Sequence, residues 1–352
     1  MPWSRKASRT AGPDGYHAAR NIEPGPHALS RFIPLLALAA VACAPQVIPA
    51  GPAVTTPVIG PQAFVMPDGA ELPLHAWLPA GAPQGIVLAL HGFGDTASNA
   101  FRRAAEPFTA EGLAVYAYDQ RGFGAAPHRG VWPGTQALAE DATRTARLLR
   151  ARHPGLPLFL LGESMGGAVA LVALASSEPP PVDGTILLAP ALQGRASLGW
   201  LGRGALDFFA HTVPLLEFRN SAPGFAPTDD EEAMRGWSRD PLTYKEVRVD
   251  TLYGLVGLMD AALAAPPRGR VLVLYGGKDR ITGALPLRTM LRDAAADPAL
   301  RAAYYADGHH MLLRDRARGV VAADVLSWMR APAEPLPSGA DQAAATWLAT
   351  EH

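Results

Sequence analysis

The chain has 352 residues, a mass of 37.0 kDa and a formal net charge of −1. Hydrophobic residues make up 49% of it and charged residues 18%, which excludes an intrinsically disordered chain and leaves apolar side chains for a sizeable core. The near-zero charge argues against a dedicated nucleic-acid binder, which would show a clustered excess of Lys and Arg. The single cysteine excludes an intramolecular disulfide framework and a cysteine-based zinc site.

The first part of the chain has the composition of an export signal. Basic residues are scattered over residues 1–31, and an apolar run of eleven residues, Phe32–Ala42, follows them. This run is too short for a helix that spans a bilayer, which needs about 20 residues. A basic flank, a short apolar run and small residues before a cleavage point are typical of an export signal. We therefore expect residues 1–42 to be an N-terminal leader.

The only cysteine follows this apolar run directly. The sequence AVAC at 40–43 resembles a bacterial lipobox, in which the cysteine becomes the lipidated first residue of the mature protein. Cys43 is therefore the candidate for lipidation, and the Pro-rich segment 43–61 would be a tether between the lipid and the domain. This interpretation predicts an exported, membrane-anchored lipoprotein of the bacterial cell envelope. A leader that is not a signal would instead leave the protein in the cytoplasm.

Short apolar runs recur from about residue 62 onward. Two alternating runs flank Asp68-Gly69, which predicts a β-hairpin. Helical patterns at 134–154 and 165–178 separate some of the later runs. The alternation predicts an α/β fold over 62–331, with a mostly parallel central sheet flanked by helices. Continuous apolar runs predict strands that are buried on both faces, at 86–91, 113–119, 158–164, 185–190, 271–277 and 302–307.

One interval between predicted strands is too long for a simple crossover. About 80 residues separate Pro190 from Arg270, and they include two helical patterns that are rich in Leu and Phe. We therefore expect an inserted helical cap at about 191–268. The last segment, 332–352, begins with a Pro- and Gly-rich stretch and is expected to be a loose tail.

The strongest chemical signal is the sequence GESMGG at 162–167. It fits the pattern G-x-S-x-G, directly after a predicted strand and directly before a predicted helix, which is the context of a nucleophile elbow. In such an elbow a sharp turn projects the serine hydroxyl above the sheet, near a helix N-terminus that stabilises developing negative charge. Ser164 is therefore the candidate nucleophile.

A second motif, HGFGD at 91–95, follows the first long buried strand. Acyl-transfer hydrolases of this architecture take one oxyanion donor from that loop and another from the residue after the nucleophile. The candidate donors are therefore the backbone N–H groups of Phe93 and Met165. His91 is expected to bond within its loop, because the catalytic base follows the acid in this chain order.

The base and its carboxylate partner are expected after the serine, in the order Ser, Asp or Glu, His. A serine hydroxyl needs an imidazole to accept its proton, and the imidazole needs a carboxylate on its other nitrogen. Asp279 ends one predicted strand and fits the orienting role, whereas His309 and His310, after the next strand, both stay open as the base. The histidines lack the helical spacing of metal ligands, and no phosphate-loop or dinucleotide motif is present. No metal and no cofactor is therefore expected.

These motifs resemble the monoacylglycerol lipase and lysophospholipase branch of the α/β-hydrolase superfamily, which is of the serine aminopeptidase type. The resemblance covers roughly 64–329, where HGFGD, YDQRGFG, GESMGG, YGGKD and DGHHMLLRD stand in the family's order. It selects His310 as the base, because the family's histidine directly precedes a short apolar and acidic run such as MLLRD. It also implies the α/β-hydrolase fold with an inserted cap. The implied substrate is a carboxylic ester of a single-chain lipid, either a monoacylglycerol or a lysophospholipid.

Apart from this resemblance, only the cap supports an apolar substrate. Two classes of alternative stay open. One is a different acyl or peptide hydrolase of the same fold, such as a thioesterase, a proline-type aminopeptidase or a perhydrolase, and the other is a non-catalytic ligand-binding protein. Most large apolar residues of the cap are expected to be cap core, and some to line an acyl tunnel: Trp200, Leu201, Phe208, Phe209, Leu215, Leu216 and Phe218.

Overall fold

The computed structural model describes residues 44–219 and 226–350, whose strands form two sheets. In chain order the strands are β1 (Val58–Ile59), β2 (Ala63–Val65), β3 (Glu71–Trp77), β4 (Gly85–Leu90), β5 (Leu113–Tyr118), β6 (Leu158–Glu163), β7 (Gly184–Leu188), β8 (Glu217–Arg219), β9 (Glu246–Arg248), β10 (Val271–Gly276) and β11 (Leu300–Tyr305). The central sheet has the order β1-β2-β3-β5-β4-β6-β7-β10-β11, and β8 and β9 form a separate antiparallel ribbon.

The described helices surround the central sheet. None of them is long and apolar enough to cross a membrane. In chain order they are α1 (Ala97–Phe101), α2 (Glu106–Ala110), α3 (Thr135–Arg152), α4 (Met165–Ala175), α5 (Gly199–Thr212), α6 (Glu231–Arg239), α7 (Val249–Leu263), α8 (Ala284–Asp293), α9 (Arg318–Arg330) and α10 (Ala340–Ala349).

The parallel part of the sheet explains the continuous apolar runs of the sequence. Strands β5, β4, β6, β7, β10 and β11 pair in parallel, and β4 and β6 are buried along their whole length. Along β4, Ile86 and Leu88 face one apolar layer, whereas Val87 and Ala89 face the other. Helices α3 and α4 complete the first layer, and α1, α2 and α9 complete the second. The predicted mostly parallel sheet flanked by helices is therefore confirmed.

The predicted hairpin lies at one edge of this sheet. β2 and β3 pair in antiparallel fashion, and the backbone N–H of Met66 donates a hydrogen bond of 2.8 Å to the carbonyl of Ala70. The turn between them needs the positive φ of 80° that Gly69 adopts. The interpretation of Asp68-Gly69 as a turn is confirmed.

The long interval between β7 and β10 holds helices α5, α6 and α7 and the β8–β9 ribbon. We call residues 191–268 the cap. Helix α5 packs on α7, and α7 packs on α4 of the main domain. The cap therefore rests on the helix that begins directly after Ser164.

The C-terminal segment is not the loose tail that its Pro- and Gly-rich beginning predicted. Residues Ala340–Ala349 form α10, which packs against the edge strand β11. The ring of Trp347 stacks on that of Tyr304 with 4.9 Å between centroids, and Arg288 donates a hydrogen bond of 2.9 Å to the carbonyl of Trp347. The prediction of a loose tail over 332–352 is wrong for its described part, 332–350, because a helix that covers apolar surface of β11 follows the Pro-rich stretch.

The described part of the predicted tether is also held against the domain. The backbone N–H of Gln46 donates to Asp250 Oδ2 at 3.2 Å, and that of Ile48 donates to the carbonyl of Trp132 at 3.0 Å. Further along, β1 pairs with β2 at the edge of the sheet. A free tether over 43–61 is therefore wrong for these residues, because backbone hydrogen bonds fix them at several points.

Candidate active site

Ser164 lies at a tight turn between β6 and α4. Its backbone has φ of 53° and ψ of −114°, a conformation that residues other than glycine rarely adopt. The glycines two residues before and after it, Gly162 and Gly166, have no room for a side chain. A Cβ on Gly166 would overlap the backbone of Leu90, and one on Gly162 would overlap the backbone of Gly166. The predicted elbow is therefore present, and Ser164 lines a cavity above the sheet.

Asp279 and His310 form a hydrogen-bonded pair beside this cavity. His310 Nδ1 donates to Asp279 Oδ2 at 2.9 Å, and both side chains are buried. The carboxylate also accepts hydrogen bonds from the backbone N–H groups of Ile281 and Thr282, at 2.7 and 3.0 Å, and from the Thr282 hydroxyl at 2.6 Å.

These hydrogen bonds decide the ionisation of the Asp279 carboxyl. Burial alone raises its pKa, but the hydrogen bonds from His310, Thr282 and Ile281 outweigh burial and hold the pKa below its usual value. The ionised carboxylate keeps the proton of a neutral His310 on Nδ1. Nε2 of the ring is then left as a proton acceptor.

The cavity brings together four of the five residues that were predicted to act in catalysis. Ser164, His310, Phe93 and Met165 line it, and Asp279 holds His310 through its Nδ1. The volume of about 130 Å³ is below the roughly 300–1,000 Å³ that is typical of ligand pockets. The cavity is therefore too small to enclose a long acyl chain completely.

The backbone N–H groups of Phe93 and Met165 are both available at the cavity. Within the described chain, neither of them donates a hydrogen bond to another backbone or side-chain group. Met165 begins α4, where the helix dipole places partial positive charge. Phe93 follows Gly92, which lies close to Ser164. A Cβ added to Gly92 would be 3.3 Å from Ser164 Cβ. Two free donors beside a serine can stabilise a negatively charged oxygen.

A buried arginine joins the two carboxylates that line the cavity. Arg314 Nη1 donates to Asp95 Oδ2 at 2.7 Å, and Nη2 donates to Glu163 Oε1. All three side chains are less than 5% exposed. Burial alone lowers the pKa of Arg314, but the two carboxylates outweigh it and raise the pKa, so the guanidinium stays charged. This contact was not predicted from the sequence, although the three residues belong to HGFGD, GESMGG and MLLRD.

The other two histidines of the motifs have partners other than Asp279. His91 is buried, and its Nδ1 lies 2.8 Å from the carbonyl oxygen of Gly92 in its own loop, which agrees with the predicted loop role. Its Nε2 accepts a hydrogen bond of 3.0 Å from the backbone N–H of Gln120, in the loop after β5. His309 Nδ1 lies 3.4 Å from Asp315 Oδ2, and its backbone N–H donates to the same oxygen at 2.7 Å. Of the two adjacent histidines, His310 is therefore the one that meets Asp279.

The cap is bonded to the loop that carries these histidines. We call residues 306–316 the histidine loop. The backbone N–H of Met311 donates to the carbonyl of Pro227 at 2.8 Å, and the Thr228 hydroxyl donates to the carbonyl of Arg314 at 3.0 Å. The part of the cap that leads into α6 is thus fastened to the loop that positions His310.

One nearby cluster has ligand atoms close enough to hold a metal ion. The carboxylates of Asp229 and Asp315 and the imidazole of His309 lie within 4.8 Å of one another. Asp315 already accepts hydrogen bonds from the backbone N–H groups of His309 and Asp229, at 2.7 and 3.3 Å. The cluster therefore fastens the cap to the histidine loop.

The large apolar cap residues that were singled out in the sequence do not line the cavity. Leu255 and Met259 of α7 and Trp237 of α6 do so instead. Among the apolar side chains of helix α5, Ala210 is buried, Leu206 is half-buried and the others are exposed. The expectation of cap core or acyl tunnel is therefore wrong for the residues singled out in the sequence: Trp200, Leu201, Phe208, Phe209, Leu215, Leu216 and Phe218.

The candidate for lipidation and the predicted leader cannot be placed relative to this site. Cys43 and residues 1–42 lie outside the described residues. The described chain begins at Ala44. Both predictions therefore rest on the sequence.

Known proteins share this fold. The family described as serine aminopeptidase, S33, matches residues 81–317, about two thirds of the chain. The monoacylglycerol lipase of Mycolicibacterium smegmatis is 26% identical over 274 residues, which are 76% of this chain and 95% of that protein.

Two solved structures have the same arrangement of strands and helices. Paleococcus ferrophilus monoacylglycerol lipase superposes with a TM-score of 0.61 at 20% identity, covering 74% of this chain and 98% of that chain. A soluble variant of the Saccharomyces cerevisiae monoglyceride lipase, in complex with a substrate analog, gives a TM-score of 0.64 at 18% identity. The match covers 80% of this chain and 97% of that chain. The predicted α/β-hydrolase fold is therefore confirmed.

Proposed function

Because the chain belongs to the serine aminopeptidase S33 family, we propose that it is a serine hydrolase acting on carboxylic esters of single-chain lipids, with a monoacylglycerol as preferred substrate. The observation that carries this proposal is the meeting of Ser164 and the Asp279–His310 pair at one cavity. The name of the Mycolicibacterium smegmatis relative, monoacylglycerol lipase, supports the same substrate class.

In the proposed mechanism the ester first acylates Ser164, and water then removes the acyl group from it. His310 Nε2 takes the proton of Ser164 Oγ as this oxygen attacks the ester carbonyl carbon. Asp279 keeps Nδ1 protonated and stabilises the imidazolium that forms. The N–H groups of Phe93 and Met165 stabilise the oxyanion. The imidazolium then protonates the leaving alcohol, and a water molecule activated by the same imidazole hydrolyses the acyl-enzyme.

The charges at the cavity favour an uncharged head group. Among the described lining residues, the charged side chains are Asp95, Glu163 and Arg314, so they carry one net negative charge. The phosphate of a lysophospholipid would be repelled, because Arg314 already donates to both carboxylates. The glycerol head group of a monoacylglycerol brings no charge and avoids this repulsion.

A second candidate function is peptide hydrolysis, since the matching family is described as a serine aminopeptidase. An aminopeptidase has to bind the α-ammonium group of its substrate, and a free carboxylate is the natural partner. Asp95 and Glu163 are both engaged by Arg314. This arrangement favours the ester substrate over the peptide.

The proposed function is tested with a substrate panel and one serine substitution. We expect monoacylglycerols to be hydrolysed faster than lysophospholipids, acyl-CoA and proline amides. Ser164→Ala should lower kcat by at least about a thousandfold, whereas Ser177→Ala, at an exposed serine just beyond α4, should leave it unchanged. Near-normal activity of Ser164→Ala would refute the proposal. Absence of labelling by a fluorophosphonate probe would point to a non-catalytic ligand-binding protein.

We also propose that the chain is exported and lipidated at Cys43, which would hold it at a membrane surface of the bacterial cell envelope. The support is the sequence AVAC directly after the apolar run Phe32–Ala42. Mass spectrometry of the mature N-terminal peptide should show a lipid-modified cysteine, and Cys43→Ser should abolish that mass. A mature protein that retains the leader without modification would contradict this proposal.

A further inference from the structure

The cap contacts the loop that carries one of the two proposed oxyanion donors. We call residues 91–96, which follow β4, the oxyanion loop. The backbone N–H of Tyr244 in the cap donates a hydrogen bond of 2.7 Å to the carbonyl of Gly94. Two residues further along the loop, the Thr96 hydroxyl donates to Asp240 Oδ2 of the cap at 3.0 Å. The cap therefore holds the end of this loop at two points.

Gly94 lets the two main chains approach each other closely. Its φ of 73° lies in the left-handed region that favours glycine. A Cβ added to Gly94 would be 3.0 Å from Tyr244 Cβ. The hydrogen bond between the cap and the oxyanion loop therefore depends on a residue without a side chain.

Hydrogen bonds within the loop fix the peptide unit of the donor. The carbonyl of Gly92 belongs to the same planar unit as the N–H of Phe93. This carbonyl accepts a hydrogen bond of 3.3 Å from the backbone N–H of Asp95, and His91 Nδ1 lies 2.8 Å from it. The turn that orients the N–H of Phe93 thus spans Gly94, the residue whose carbonyl the cap holds.

The ring of Tyr244 packs in an aromatic cluster with Phe93. The two rings meet edge to face with 5.9 Å between centroids. Phe123 contacts both of them, with its centroid 5.5 Å from that of Phe93 and 5.3 Å from that of Tyr244. Tyr244 and Phe123 are buried, so solvent does not separate these rings. A shift of the tyrosine ring would therefore move the residue that carries the donor.

The loop after β5 fixes the other end of this tyrosine. The Tyr244 hydroxyl donates to the carbonyl of Gly122 and accepts a hydrogen bond of 2.7 Å from the backbone N–H of Gly130. Burial raises the pKa of Tyr244 to about 12, so the hydroxyl keeps its proton near neutral pH and can donate. The Thr251 hydroxyl in turn donates to the carbonyl of Gly130 at 2.8 Å. Tyr244 is thus held at its backbone and at its hydroxyl.

We infer that Tyr244 is a positioning residue, which orients the N–H of Phe93 toward the oxyanion through the carbonyl of Gly94 and through ring contact. This inference rests on the proposed ester hydrolysis and gives the cap a part in the oxyanion site. The N–H of Phe93 stabilises an oxygen that becomes negative in the transition state. Misplacing this N–H should therefore lower kcat more than it weakens substrate binding.

The first test compares tyrosine variants of the full-length protein on a soluble p-nitrophenyl ester. Tyr244→Phe removes the hydroxyl and keeps the ring, and we expect it to lower kcat at least about fivefold with KM within about twofold. Tyr244→Ala removes the ring as well and should lower kcat at least about thirtyfold. Each rate is divided by the concentration of serine that a fluorophosphonate probe labels at completion, so loss of folded protein does not affect the comparison.

The matched control is Tyr116→Phe, at another buried tyrosine. The Tyr116 hydroxyl lies 3.0 Å from His153 Nε2, and neither residue lines the catalytic cavity. We expect kcat of this variant to equal that of the unsubstituted protein. An equal loss of kcat in Tyr116→Phe and Tyr244→Phe would overturn the inference.

The second test separates positioning from a structural effect. Butylboronic acid forms a negatively charged tetrahedral adduct with an active-site serine, and an oxygen of the adduct takes the place of the oxyanion. We expect its inhibition constant to rise in Tyr244→Phe by about the factor by which kcat/KM falls. Partial unfolding would lower only the concentration of labelled serine.

Two results would contradict different parts of this account. An inhibition constant within about twofold of the unsubstituted value in both Tyr244 variants would overturn the positioning role. Absence of both ester hydrolysis and fluorophosphonate labelling in the unsubstituted protein would instead refute the proposed function.

Discussion

Arg314 donates a hydrogen bond of 2.7 Å to Asp95, and this contact joins the histidine loop to the loop after β4. The same guanidinium donates to Glu163, the residue before the nucleophile. The loops after β4 and β11 and the last residue of β6 therefore share one buried cation. The relative positions of Ser164 and His310 depend on it.

The first prediction concerns the stability that this cation provides. Arg314→Met leaves two carboxylates buried without their partner, and we expect it to lower the free energy of unfolding by about 3–5 kcal/mol. Urea denaturation measures the loss. The control is Arg330→Met, which removes an exposed ion pair with Glu111 and should cost less than about 1 kcal/mol. Similar losses in both variants would contradict the structural role of Arg314.

The second prediction separates the two adjacent histidines. His310→Ala removes the group that is hydrogen-bonded to Asp279, and it should lower kcat by at least about a thousandfold. His309→Ala removes only a ring beside Asp315 and should keep kcat within about tenfold of the unsubstituted value. Steady-state kinetics on a soluble p-nitrophenyl ester give both numbers. The reverse order of effects would assign the proton transfer to His309.

The third prediction concerns the backbone strain at the nucleophile. Ser164 has φ of 53°, which suits glycine better than any residue with a Cβ. Ser164→Gly should therefore be more stable than Ser164→Ala by about 1 kcal/mol, although both are inactive. Thermal unfolding of the two variants measures the difference. Equal stability would indicate that the elbow stores little strain.

The fourth prediction follows from the lowered pKa of Asp279. The pKa is lower in the folded chain than the ordinary value of 3.8, so the ionised carboxylate stabilises the fold above about pH 4. This stabilisation is lost as the pH falls through the folded-state pKa. The stability difference between the unsubstituted protein and Asp279→Asn should therefore be largest above pH 4, at about 1–3 kcal/mol, and should shrink below it. A difference that grows in acid would contradict the assignment.

The fifth prediction tests the packing of the C-terminal helix. Trp347 stacks on Tyr304 and Tyr275, with 4.9 and 5.5 Å between ring centroids. Trp347→Ala should lower the free energy of unfolding by about 2–3 kcal/mol, because it removes both stacks and uncovers β11. Trp200→Ala, at an exposed position of α5, should change the free energy of unfolding by less than about 0.5 kcal/mol.

Features with a local or periodic signal could be predicted from the sequence. Burial on both faces of a parallel sheet produces continuous apolar runs, and the elbow around Ser164 depends on residues that are neighbours in the chain. Asp279 and His310 meet although 31 residues separate them, because each follows a strand and the two strands are adjacent in the sheet. The order of the motifs predicted Asp279 as the orienting carboxylate and a histidine after the next strand, and the family resemblance selected His310 over His309.

Features that depend on distant contacts left no such signal. Arg314 is 219 residues from Asp95 and 151 from Glu163, and an ion pair produces no periodic pattern. The exposure of Phe208 and its neighbours could not be predicted from the sequence either, because composition does not distinguish apolar residues that the fold covers from those that it leaves exposed. Helix α10 is short and follows Pro-rich sequence, so its stabilisation comes from β11.

The hydrogen bonds from Met311 to Pro227 and from Thr228 to Arg314 tie the segment that leads into α6 to the histidine loop. The same loop carries His310, and its Arg314 contacts Asp95 and Glu163. A substitution that loosens this segment of the cap should therefore alter the position of His310 as well as the contribution of Trp237 to the lining of the cavity.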